Sequence, residues 1–508
     1  MKRLNAVLLA LLAALAVACS KDSGLSGEQL AAQYCSTCHL EPVSGQLPRE
    51  SWPFVLRWMG NYLGFKDFDD ELGEGIVDRD IMPDKKLISS GDFGKIRDYF
   101  LAGAKSQQEI FASDRREYEP TAAFSAAYPI RDVAKGEFVT LVRFDPFSDF
   151  TFVGFGTENN KRLEFYDRQF RKVADFKMKS EPVHLVPFSG GFRLSLIGDF
   201  LYDKGEGVVY EVRPSNEKGK LDVWPMVHGY NRLTQSLSAD FNGDGHNDLL
   251  LVGFGQGHIG RTSIIHRLKD GSYGAEKILF SGAGSLCAEV QDFDGNGQPD
   301  IMLLIAQERQ ELALFLNQGG GNFERRLLHK EAAGFGYNHF TLADMNGDGK
   351  LDVITSNGNN MEIPDAPLKP QHGIRILLNQ GNLEWREAYF FPLHGAIKSI
   401  AQDFDKDGDV DIAAIAFYPD WDRETPTTFV YLRNDGGLKF TPSTLPREHW
   451  GRWMVMDSGD VNGDGYQDLI LGAAYIDKGI APRYAERYQV LKQESPSLLF
   501  LYNKGGQH

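Results

Sequence analysis

Asp and Asn alternate in five nonapeptides of this 508-residue chain, beginning at Asp240, Asp292, Asp344, Asp403 and Asp460. Positions 1, 3, 5 and 9 are Asp240, Asn242, Asp244 and Asp248 in the first copy, and Asp292, Asp294, Asn296 and Asp300 in the second. They are Asp344, Asn346, Asp348 and Asp352 in the third, Asp403, Asp405, Asp407 and Asp411 in the fourth, and Asp460, Asn462, Asp464 and Asp468 in the fifth. Position 6 is Gly throughout. Oxygen ligands at alternate residues, with a Gly for the sharp turn, are what a hard cation such as Ca²⁺ asks of a loop. Without the cation, two carboxylates ~4 Å apart repel by about 4 kcal/mol at a surface-like dielectric. An EF-hand would add Glu at position 12; here Leu251, Leu303, Thr355, Ala414 and Leu471 stand there, inside apolar runs that read as buried strands.

A second chemistry is written in Cys35-Ser36-Thr37-Cys38-His39. A bare C-x-x-C serves a redox disulfide or half a zinc site; the His that follows at once makes it a c-type haem attachment motif. Two thioethers fix the porphyrin and His39 is placed to ligate iron. Ser26-Gly27-Glu28-Gln29 reads as a capping box opening the helix that carries the motif. Trp52, Val55, Leu56, Met59 and Leu63 share one helical face, and a third helix follows Ser89 or Ser90 with Phe93, Ile96 and Phe100 inward.

Three helices around C-x-x-C-H, over residues 26–105, resemble a small class I cytochrome c. That resemblance implies a distal methionine in the loop before the last helix. Met82, in Ile81-Met82-Pro83, fits that place; Met59, on the helical stripe, reads as core filler. His/Met ligation closes both axial positions and suits electron transfer. The aspartate loops, with Gly253-Phe254-Gly255 and Gly154-Phe155-Gly156, resemble the FG-GAP/VCBS repeats of integrin-type β-propellers. The resemblance implies a Ca²⁺-binding strand–loop–strand clip and covers about three quarters of the sequence.

Loop starts lie 52, 52, 59 and 57 residues apart, the scale of a four-stranded blade. Asp149–Gly156 parallels Asp248–Gly255, but its loop, Asp145–Asp149, is too short for calcium; residues 182–212 form another degenerate unit. Two degenerate and five intact units predict seven blades over residues 122–508. The last unit lacks an outer strand, which residues 124–128 are positioned to supply. The expected fold is thus multidomain: a small all-α cytochrome c domain, then an all-β propeller, joined by a linker over 106–121.

The aspartate loops share one face of such a ring, and the longer connections Ser356–Gly373, Phe417–Thr428 and Ala473–Ser497 share the other. His228, Tyr230, Arg232, Tyr337, His339, His394, Lys398, His449, Trp450, Arg452 and Trp453 are expected near the channel mouth there. Arg232, His339, Lys398 and Arg452 are the candidate ligand-binding residues, for an anionic ligand or acidic partner; polar side chains and water filling the channel is the plain alternative. No Gly-x-Ser-x-Gly, P-loop, dinucleotide fingerprint or HExxH is present.

The net charge of −16 argues against nucleic acid as a partner, and positions 1, 3, 5 and 9 of the five loops alone carry sixteen carboxylates. Lys2 and Arg3 precede an apolar run ending Leu15-Ala16-Val17-Ala18-Cys19, which looks like a bacterial lipobox. Residues 1–18 then read as a signal peptide, Cys19 as the lipidated residue and 19–25 as a tether; a plain secretory peptide is the alternative. Ser20 after Cys19 implies the outer membrane, facing periplasm or cell surface. Together these features predict an exported monohaem cytochrome passing electrons to a redox partner, with the propeller as docking or ligand-binding platform. The rivals are an oxidoreductase with its substrate at the channel mouth, and an adhesion module.

Overall fold

The computed structural model describes residues 22–37, 40–69, 72, 77–111, 117–129, 135–157, 160–201, 204–217, 219–307, 309–360, 363–477 and 479–505. The signal segment, Cys19, Cys38 and His39 lie outside these residues. The chain divides into two compact units, 1–114 and 115–508.

In the first unit, Ser26 caps α1 (Gly27–Tyr34) with the full reciprocal box: Gln29 N donates to Ser26 Oγ at 3.2 Å, and Ser26 N donates to Gln29 Oε1 at 3.0 Å. The helix ends at Cys35. Helices α2 (Trp52–Asn61) and α3 (Ser90–Gly103, capped by Ser89) supply the remaining apolar faces. Leu30, Trp52, Leu56, Ile96 and Phe100 are buried together, with Trp52 stacked on Phe100 at 4.2 Å. A Cβ on Gly27 would stand 2.2 Å from the Lys95 carbonyl oxygen, so α1 and α3 cross where only glycine fits.

The stretch expected as linker contains a short helix, α4 (Gln107–Phe111). Ser106 and Glu109 cap it reciprocally, a box of the same type as at Ser26: Glu109 N donates to Ser106 Oγ at 3.1 Å, and Ser106 N to Glu109 Oε2 at 2.7 Å. Its far end already belongs to the propeller, since Tyr118 packs on Phe391 and Thr121 N donates to Thr444 O.

Among the described residues of the second unit are seven four-stranded antiparallel sheets. Their innermost strands are Val139–Asp145, Pro182–Phe188, Leu233–Ala239, Ser285–Gln291, Tyr337–Ala343, Ala396–Gln402 and Trp453–Gly459, blades 1 to 7 in that order. The inner strands of blades 1 and 7 lie against each other, which closes the ring. Second strands such as Asp300–Ala306 are buried on both faces, because they lie between neighbouring blades. Outer strands such as Phe323–Glu331 are largely exposed.

Blade 7 contributes only three strands of its own. Phe124–Ala127 adds the fourth, running antiparallel to Leu498–Asn503 with Phe124 opposite Asn503 and Ala127 opposite Phe500. The register is pinned by Phe124, whose buried ring meets Tyr431, Phe404 and Phe429 at 5.3, 5.8 and 6.5 Å. One residue from the start of the chain's propeller thus holds its last blade to blade 6. Phe124→Ala should lower the stability of the propeller by about 3–5 kcal/mol in denaturant titration.

Candidate functional site

Each aspartate loop joins the first strand of a blade to the second, and its side chains first satisfy its own backbone. In the loop at Asp240, Oδ1 accepts from Gly243 N and Asp244 N, and Oδ2 from Gly245 N. Asn242 Oδ1 accepts from Asp244 N, and Asp244 Oδ1 from His246 N. The same bonds recur, with small losses, at Asp292, Asp344, Asp403 and Asp460. Position 6 has positive φ in every copy: 85°, 82°, 82°, 98° and 88° at Gly245, Gly297, Gly349, Gly408 and Gly465.

Position 9 differs from the rest. Asp248, Asp300, Asp352, Asp411 and Asp468 are buried, and each carboxylate clasps two distant backbone N–H groups. One oxygen accepts from position 2 of the loop (Phe241, Phe293, Met345, Phe404, Val461) and the other from the end of the third strand (Arg267, Asn317, Asn379, Asn434, Asn503). In four blades that third-strand residue is Asn, and its side chain reaches back: Asn317, Asn379, Asn434 and Asn503 donate to the carbonyls of Pro299, Leu351, Val410 and Gln467. Asn317 and Asn503 also donate to Phe241 O and Phe404 O of the preceding blade. These asparagines were legible as the recurring Asn before a Gly-rich turn, but their role needed the strands brought together.

The loops at Asp292 and Asp403 have Asp at position 3, and there the oxygens of positions 1, 3 and 9 come within 4.8 Å of one another. Asp403 Oδ1 is buried and has no hydrogen-bond partner. Burial, reinforced by the neighbouring Asp405 and Asp464, pushes Asp411 and Asp468 up to about 6. Burial also raises Asp300 and Asp352. A donor set of hard oxygens, one of them orphaned, fits a cation of the Ca²⁺ type. Two loops carry an internal competitor: Lys350 Nζ pairs with Asp348 at 2.8 Å, and Arg168 of blade 1 bonds Asp460 O at 3.4 Å.

In the N-terminal unit, Cys35 is half-buried at the end of α1, and burial pushes its thiol up to about 11. A disulfide-exchange nucleophile needs the opposite shift. Met82 follows a 3₁₀ turn, half-buried in extended backbone before Pro83, whereas Met59 lies within α2. Trp58 Nε1 and Asn61 Oδ1 are buried without partners. Trp52 Nε1, by contrast, donates to Ser44 O at 2.9 Å. Buried polar groups left unpaired by the chain fit a polar prosthetic group packed against α2.

The four candidate channel-mouth residues do not form one cluster. Arg452 is fully buried; its guanidinium donates to Phe417 O at 3.1 Å and to Ile476 O, with Cζ 3.7 Å from the centre of the Phe417 ring. Arg232 does the same one residue before its own inner strand, donating to Phe200 O at 2.8 Å and Gly255 O at 3.1 Å, over Phe254. Both guanidiniums tie a blade to its predecessor. Tyr230, Tyr337 and Trp453 are also buried in blade cores rather than at a mouth. His339 and Lys398 alone of the four lie on inner strands, those of blades 5 and 6.

A buried guanidinium spent on carbonyls is a staple. Arg452→Ala should therefore destabilise the propeller by about 3 kcal/mol in denaturant titration, because two carbonyls lose a charged donor. A mouth residue would instead show altered ligand or partner kinetics at unchanged stability.

The FG-GAP-like repeat family matches residues 240–303, 292–355 and 403–471, which take in all five loops. Integrin alpha-V of Gallus gallus is 26% identical over 234 residues, covering 42% of this chain and 22% of the integrin. Integrin alpha-PS3 of Drosophila melanogaster is 27% identical over 208 residues, covering 36% and 18%. The chain thus spans about a fifth of the length of these relatives. Among solved structures, the N-terminal domain of Nup159 aligns with a TM-score of 0.44 at 8% identity, covering 76% of this chain and 97% of that one. A periplasmic gluconolactonase of Pseudomonas aeruginosa aligns with a TM-score of 0.41 at 12% identity, covering 65% and 93%. The second unit is a seven-bladed β-propeller that carries FG-GAP-like repeats.

Proposed function

We propose that this chain is an exported electron-transfer protein: a monohaem cytochrome c unit followed by a calcium-stapled propeller that docks its redox partner. The observation that carries the reading is the Cys35-Ser36-Thr37-Cys38-His39 motif at the end of a capped helix, in a unit with a methionine before α3. Cys35 and Cys38 would hold the porphyrin, with His39 and Met82 as axial ligands, and the group supplies one-electron transfer when bound. The chain's own part is to exclude water around it with Trp52, Leu56 and Phe100, and to offer the unpaired atoms Trp58 Nε1 and Asn61 Oδ1 for hydrogen bonding.

Export rests on the lipobox-like segment ending at Cys19, which would anchor the chain to the outer membrane. No helix among the described residues is long and apolar enough to cross a membrane. A propeller with FG-GAP-like repeats fits a docking or interaction platform, rigid on its loop face and elaborated on the other. No observation favours substrate chemistry at the mouth, since Arg232 and Arg452 are engaged with backbone carbonyls.

Met82→Ala should convert a low-spin His/Met haem into one with an open or substituted distal position, read in the oxidised and reduced visible spectra. Loss of the methionine–iron signature in Met59→Ala instead would reassign the ligand.

Calcium should raise the melting temperature of the propeller and leave the haem unit nearly unchanged, with the loop at Asp403 the tightest site. The pH dependence has a definite sign. In the metal-free protein Asp411 and Asp468 are raised from 3.8 to about 6, so their contribution is fully present below the unfolded value and lost as pH rises through about 6. A cation favours the carboxylates, so the calcium-induced shift in Tm should be larger near pH ~7 than near ~5. An equal shift at both, or none after complete chelation, would remove calcium from the reading.

A further inference from the structure

Every inner strand carries a bulge at its second residue, between 139 and 141 in blade 1 and between the corresponding pairs in the other six. This brings Leu141, His184, Gln235, Cys287, His339, Lys398 and Val455 to one register position around the axis. His184, Gln235, His339 and Lys398 are partly solvent-accessible there, so the channel is wet at this level.

Hydrogen-bond accounting leaves this ring rich in donors. His184 Nδ1 accepts from Ser236 N at 3.4 Å, which puts the ring proton on Nε2. Gln235 Oε1 accepts from Ala288 N at 2.7 Å, which leaves its NH₂ group. His339 Nδ1 is sealed off without a partner, so Nε2 is the ring atom open to the channel, and a bound anion selects the tautomer with its proton there. The Lys398 ammonium makes no hydrogen bond or ion pair. It nevertheless lies within electrostatic reach of Arg143, Cys287, Glu289 and Asp457, from blades 1, 4 and 7, and only a position near the axis satisfies all of these. Two of those neighbours are carboxylates, one register step away. Asp457 is already taken by Arg143 Nη1 at 3.2 Å and Phe144 N at 2.8 Å; Glu289 is bonded to neither cation.

We propose that the central channel holds a small anion, a halide or a carboxylate, between Lys398, His339, His184 and the Gln235 amide. The polarity of the ring selects it: three donors and a histidine free to present its Nε2–H face a partly desolvated axis, where a negative charge is worth more than in water. The neighbouring carboxylates do not do the job. Burial pulls Lys398 below its ordinary value in spite of Asp457 and Glu289, and drives both histidines down, so that both rings are neutral. Glu289 is the opposing charge that limits affinity.

The test uses the full chain in a buffer free of halide and carboxylate. Crystals exposed to sodium bromide should show an anomalous peak bounded by Lys398, His339 and His184, and titration calorimetry with bromide and with formate tells halide from carboxylate by which binds more tightly. Lys398→Met should weaken binding about tenfold or more, and Glu289→Gln should tighten it. Lys398→Arg, which keeps charge and fold, covers a failure of the methionine variant and should retain binding. A channel without bromide density, or the same affinity in Lys398→Met and Glu289→Gln as in the parent, would mean that water alone fills the axis.

Discussion

A backbone N–H from the loop and another from the end of the third strand meet on one buried carboxylate in each of five blades, at Asp248, Asp300, Asp352, Asp411 and Asp468. A buried carboxylate is costly unless such donors surround it, and removing the donors would leave the charge uncompensated. The clasp therefore fixes three things together: the entry of the loop, the start of the second strand and the end of the third. The remaining loop oxygens are oriented as a consequence, and a cation of the right size would find them already gathered.

The opposite face is held by different chemistry. In every blade, the residue just before the inner strand accepts through its carbonyl from a residue within two positions of the end of the second strand, as in Phe254 N to Arg232 O and Phe417 N to Gly395 O. Gly284, Gly336 and Gly395 hold this position with positive φ, and Arg232 holds it at φ 40°. A Cβ at Gly395 would stand 2.3 Å from Tyr418 backbone atoms, so the chain leaving the second strand of the same blade allows no side chain there. At Arg232 and Arg452 the backbone leaves room for a side chain, which bridges the gap through carbonyls and an aromatic face.

Blade 1 shows what happens when the loop is lost. Its Asp145–Asp149 turn is short; Asp145 caps Phe147 N, and Asp149, at φ 59°, pairs with Arg168 at 2.6 Å. Arg168 also reaches Asp460 O of blade 7. A guanidinium thus stands at the junction where the ring closes, between one loop too short for a cation and another built for one.

The sequence by itself determined the number of blades, the strand–loop–strand placement of the aspartates and the need for an outside strand in blade 7. Periodic apolar runs, Gly turns and 52–59-residue spacing are local signals, and local signals survive in one dimension. The cap at Ser26 was equally local; the box at Ser106 and Glu109 was no less so, though polar composition alone had marked it as linker. Only the tertiary structure decided what the cations of the second unit do. Arg232, Arg452 and Lys398 look alike as basic residues near an expected mouth, but two stand one residue before their inner strands and one stands on its strand. That offset sends two guanidiniums to backbone carbonyls between blades and leaves one ammonium facing the axis. Register relative to neighbouring strands sets such partners, and no spacing within a single strand encodes it.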